Sequence, residues 1–61
     1  MTKKIYIEDN LLFADIKIFP VDDYRYAEFE AVVVDNLLWA DYRVYITDSR
    51  QFADKLVYIK R

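Results

Sequence analysis

Hydrophobic and polar positions alternate in five short stretches of the chain. Ile5 and Ile7 stand against Tyr6, Ile16 and Ile18 against Lys17, Ala31 and Val33 against Glu30, Val44 and Ile46 against Arg43, and Val57 and Ile59 against Tyr58. A period of two carried by β-branched and aromatic residues predicts strands. Between the stretches runs a second pattern, Asp9-Asn10-Leu11-Leu12-Phe13-Ala14-Asp15, which returns as Asp35-Asn36-Leu37-Leu38-Trp39-Ala40-Asp41. Looser copies stand at Asp22 to Glu28 and Asp48 to Asp54, so that Asp9, Asp22, Asp35 and Asp48 are 13 residues apart each time. The chain is therefore a tandem repeat. Its units are 3 to 15, 16 to 28, 29 to 41 and 42 to 54, with a half-unit from 55 to 61, and no linker divides the single domain of residues 1 to 61.

Asp followed by Asn, Asp or Ser is turn-initiating chemistry, because these short side chains accept hydrogen bonds from backbone amides one or two residues on. Strands over 3 to 9, 14 to 22, 27 to 35, 40 to 48 and 53 to 60 leave four-residue loops, an ordinary way to close a β-hairpin without glycine. The expected fold is thus all-β, a five-stranded antiparallel meander. The alternative is a thin parallel β-solenoid. A parallel return ordinarily needs a crossover of a dozen or more residues, which 13-residue units do not hold beside a strand. The turns also differ between odd and even units, as alternate turns at opposite ends of a meander would. Pro20 sits awkwardly in this scheme, inside a non-edge strand where it cannot donate a ladder bond.

By parity Ile5, Ile7, Ile16, Ile18, Phe29, Val33, Tyr42, Val44, Ile46, Val57 and Ile59 share one face. No segment reads as a helix to cover that face, and one sheet with a bare apolar side is not an independent fold in water. The chain has no cysteine or histidine, so neither a disulfide nor a zinc site can staple so small a domain. Self-association as a homodimer or higher oligomer, with sheets paired face to face or edge to edge, is the expected remedy.

A hydrophobic strand followed by Asp-(Asn/Ser)-x-x-aromatic-Ala-Asp resembles a family of small uncharacterised bacterial proteins built from tandem copies of Val-Asp-Ser-x-x-x-Ala-Asp-x-x-x-Tyr. The match is best at Thr47 to Asp54 followed by Val57-Tyr58, and at Asp9 to Asp15 followed by Ile18-Phe19. Unit two, with Asp23 and Glu28, departs from the pattern. The resemblance implies no activity, cofactor or site residue.

Composition narrows the function classes further. A net charge of −2 argues against a protein built to neutralise nucleic-acid phosphates. No apolar run is long enough to span a bilayer, which points to a soluble, cytoplasmic chain. Without histidine or cysteine Ser49 has no base to activate it, so an enzyme is not expected. The repeated aspartates could be imagined as a calcium ladder, but without a glycine to bend ligands round an ion they read as turn caps; no metal or other cofactor is expected.

The sharpest functional feature is the pair of apolar turns, Leu11, Leu12, Phe13 and Leu37, Leu38, Trp39. Set side by side they form a patch of the kind that marks protein interfaces, with the chain itself or another protein as partner. The alternative site is the opposite sheet face. There Tyr6, Phe19, Tyr45 and Tyr58 with Lys4, Lys17 and Arg43 form an aromatic and basic row, similar in outline to a platform for single-stranded nucleic acid. A third reading is a purely structural, self-assembling protein.

Overall fold

The alternating stretches do form strands, and their pairing overturns the meander. In the computed structural model, which describes residues 2–60, β1 (Thr2–Ile7), β2 (Ile16–Pro20), β3 (Phe29–Val33), β4 (Tyr42–Ile46) and β5 (Lys55–Lys60) are joined by 3₁₀ turns at Leu11–Phe13, Tyr24–Tyr26, Leu37–Trp39 and Arg50–Phe52. Every strand pairing is parallel. The strands close into a barrel in the order β1-β3-β5-β2-β4. Among the described residues there are no hairpins, and no open stack of solenoid coils.

Stagger makes this possible. Ile7, near the end of β1, and Ile16, at the start of β2, both pair with Val44 of β4. The same holds for Pro20 and Phe29 at Val57, Val33 and Tyr42 at Ile5, and Ile46 and Lys55 at Ile18. In hydrogen-bond register across the intervening strand, each strand thus begins where its predecessor ended, and the connection need only step across that one strand. Two strand spacings are about 10 Å, well within the reach of the eight residues 8–15. The requirement for a dozen or more residues assumes a return along the full strand, which this chain never makes.

Each step is hydrogen-bonded to the strand it crosses. Glu8 donates its amide to the Val44 carbonyl and Asp15 donates to the Arg43 carbonyl, at 2.8 and 2.7 Å. The connections pass outside the barrel: Tyr24, in the turn that crosses β5, lays its ring edge-on to the outward Tyr58, with centroids 6.4 Å apart. Four strands are crossed in this way, β4, β5, β1 and β2 in chain order, and β3 is not.

The core is one ring. Ile5, Ile18, Ala31, Val44 and Val57, one from the middle of each strand and 13 residues apart, are fully buried, with Ile7, Ile16, Phe29, Tyr42 and Ile59 packed against them. Parity thus places four of the five buried residues on the inward face, and the fifth, Ala31, joins them. Closure changes what covers them: the apolar face turns in on itself, so a second copy is not needed to bury it. Pro20 also finds its explanation. The β5 side of β2 uses the Val21 amide, which donates to the Val57 carbonyl, while pairing with β4 ends at Ile18, so the missing Pro20 amide interrupts no ladder.

Candidate interaction surface

The motif between strands resolves into three jobs. Asn10, Asp23 and Asn36 cap the turns, each side-chain oxygen accepting an amide two residues on, from Leu12, Arg25 and Leu38 at 2.9 Å. Capping thus falls one residue after the aspartates expected to provide it; Ser49 holds the same place without a side-chain cap bond. The last acidic residue of each motif straps the connection to the crossed strand. Carboxylates of Asp15, Asp41 and Asp54 accept the amides of Arg43, Lys4 and Lys17 at 2.9 Å, and Glu28 accepts that of Leu56 at 3.0 Å. Arg25 also binds the Asp23 carboxylate side-on, through Nε and Nη2, and these hydrogen bonds hold the Asp23 pKa below its ordinary value.

None of these jobs requires leucine in the turn. Arg50-Gln51-Phe52 and Tyr24-Arg25-Tyr26 make the same 3₁₀ turn as Leu11-Leu12-Phe13 and Leu37-Leu38-Trp39, all four keeping an exposed aromatic in third place and the first pair replacing leucine with more polar residues. Yet Leu12 is 86% exposed and Leu38 88%, with Phe13 and Trp39 at 59% and 66%. The barrel order decides where they lie. The Leu11–Phe13 turn crosses β4, the Leu37–Trp39 turn crosses β1, and β4 and β1 are neighbours. All six residues of the apolar pair thus sit over adjacent strands. A hollow of about 270 Å³, lined by Asp15 from one connection and Leu37, Ala40 and Asp41 from the other, lies between them. The two polar turns cross β5 and β2, also neighbours, with Asp23, Tyr26 and Arg50 on a shared hollow of about 420 Å³. Apolar and polar turns therefore occupy two sides of one belt rather than the two ends expected of a meander.

The aromatic and basic row is placed differently. Tyr6, Phe19, Tyr45 and Tyr58 do point outward, but from β1, β2, β4 and β5, each half-buried on a strand that a connection crosses. The backbones of Lys4, Lys17 and Arg43 each carry an acidic strap, and the Lys17 ammonium stands 3.9 Å from the Asp54 carboxylate. The barrel distributes these seven residues around its circumference rather than on one plane. Sequence spacing alone hid the strap role of Asp15, Glu28, Asp41 and Asp54, because their partners are 28 or 37 residues away.

Among the described residues no helix is long and apolar enough to cross a membrane. No protein-family model matches the chain, and no curated protein or solved structure is similar enough to it to count as a match.

Proposed function

We propose that the chain is a non-enzymatic protein-interaction module that self-associates through Leu11, Leu12, Phe13, Leu37, Leu38 and Trp39. One observation carries the reading. The first two positions of the turn are filled by Tyr24-Arg25 and Arg50-Gln51 on the other side of the belt, so the leucines here serve no need of the turn, and the barrel order sets the two Leu-Leu turns side by side. A patch that is apolar by choice of residue, and rimmed by the strapping carboxylates Asp15 and Asp41, has the composition of an interface. A two-fold pair of such patches buries both at once, each Trp39 lying against the partner's leucines. The interior supports a binding role over catalysis, since the fully buried ring is aliphatic and no charged or polar residue among the described ones is fully buried.

Light scattering on a size-exclusion column, across a range of concentrations, tests this. The expected result is a concentration-dependent dimer whose dissociation constant rises by roughly 1,000-fold in Trp39→Ala, because the two-fold dimer loses both anchors at about 2 kcal/mol each. The control Phe52→Ala, on the polar side, leaves it unchanged. A monomer at all concentrations, or a dimer indifferent to Trp39→Ala, would overturn the proposal.

A further inference from the structure

The two open ends of the barrel differ in chemistry. By parity the inward side chains make three layers of five, one from each strand, above and below the buried ring. Toward the strand N-termini lie Lys3, Ile16, Phe29, Tyr42 and Lys55, and there the Phe29 and Tyr42 rings meet at 6.0 Å across the opening. Toward the C-termini lie Ile7, Pro20, Val33, Ile46 and Ile59, a ring with no polar side chain. Val33 is 51% and Ile46 40% exposed. A hollow of about 560 Å³ opens at this end, walled by Pro20, Ile46 and Ile59 together with Val21, Asp22 and Tyr58.

Asp22 stands on the wall of this hollow, and the same position of the repeat is acidic in each of the four units. Each connection leaves its strand through an aspartate two residues beyond the apolar ring: Asp9, Asp22, Asp35 and Asp48. These are the four aspartates that mark the repeat, and the turn geometry does not account for them. Among the described residues none accepts a hydrogen bond or enters an ion pair, whereas the other aspartates, Asp15, Asp23, Asp41 and Asp54, all do. Lys60, at the end of β5, lies 3.9 Å from Glu30 of β3. An exposed aliphatic floor within a ring of unpaired carboxylates is complementary to one kind of ligand.

We infer that the C-terminal mouth of the barrel is a docking site for a cationic amphipathic peptide segment, distinct from the self-association patch. An aliphatic side chain of the segment sits on Ile7, Val33, Ile46 and Ile59, and flanking lysines or arginines meet Asp9, Asp22, Asp35 and Asp48. A second copy of the chain is a poor occupant, because two such mouths face to face would set four unpaired carboxylates against four more.

The probe is a synthetic hexapeptide of two leucines flanked on each side by two lysines, titrated into the full chain and followed by amide shifts in ¹⁵N spectra. Shifts are expected at Asp22, Val33, Ile46 and Ile59, weakening as salt is raised. The variant Asp9→Asn, Asp22→Asn, Asp35→Asn, Asp48→Asn binds about tenfold more weakly, as four exposed charge contacts together imply. Ile46→Ser weakens binding with every charge in place. Should the fourfold variant lose its folded spectrum, Asp22→Asn with Asp48→Asn gives a threefold loss, about half the effect on a logarithmic scale. Shifts centred on Leu38 and Trp39, equal binding of a peptide with glutamates for lysines, or undiminished affinity in the asparagine variants would overturn the assignment.

Discussion

At the scale of single residues the repeat separates two aspartates that look alike in the sequence. Asp48 opens a motif and Asp54 closes it, six residues apart, both exposed. Only Asp54 is tied into the fold, accepting the Lys17 amide and donating its own amide to the Lys17 carbonyl at 2.7 Å. Asp54→Ala is therefore expected to cost about 1 kcal/mol, since it strands an amide that a charged acceptor had satisfied. For a chain of this size that is a fall in melting temperature of roughly 4–8 °C. Asp48→Ala should stay within about 0.5 kcal/mol of the parent, the range of surface changes that break no contact. Equal losses from the two changes, measured by thermal unfolding, would contradict this division. The Asx chemistry is legible in the sequence, but a doublet such as Asp9-Asn10 offers two side chains able to cap, and it is the second that does so. The straps leave no such mark, because their partners are remote in sequence.

At the scale of elements, alternation located all five strands and the faces they bury, because parity depends only on the pleat. Register was not legible. Whether consecutive strands pair with each other, or each with strands two and three further along, depends on stagger, and stagger leaves no mark on a period-two pattern. The consequence for packing is concentrated in β3. The buried ring holds two isoleucines, two valines and Ala31, all with no accessible surface. Five inward side chains converge on one axis there, so the small member is the space left by the other four. Ala31→Ile would make β3 more like its neighbours in sequence, yet it is expected to destabilise by about 1–3 kcal/mol through overpacking. A denaturant midpoint that rises instead would show that the ring has room to spare.

At the scale of the whole molecule the barrel order makes the chain weave through itself. The first connection lies outside β4, the second outside β5, the third outside β1 and the fourth outside β2, so each terminal strand is held beneath a connection from elsewhere. The two terminal strands flank the uncrossed β3, with Thr2 paired to Glu30 and Lys60 to Val32. Joining the ends outside β3 would add a fifth crossing of the same kind to the four already present, and the closed path is then a knot. Such threading is nearly absent from proteins, because connections usually avoid passing over one another. Here it follows from repeating one small step, across one strand and onward, until the barrel closes. Single-molecule extension from the two ends is the direct test. An unthreaded chain of 61 residues would reach about 200 Å when fully drawn out. The threaded chain should stop reproducibly short of that, because pulling its ends tightens the crossings instead of releasing them. The tails beyond the outermost crossings are short, Val34 and Asp41 gripping β1 at Ile5 and Lys4, while Val21 and Glu28 grip β5 at Val57 and Leu56. A chain allowed to unfold fully in denaturant can therefore slip an end free, and on pulling from that state the full length should be recovered. Full extension directly from the native state would mean that the connections do not hold the ends beneath them, and that the barrel order alone does not interlace the chain.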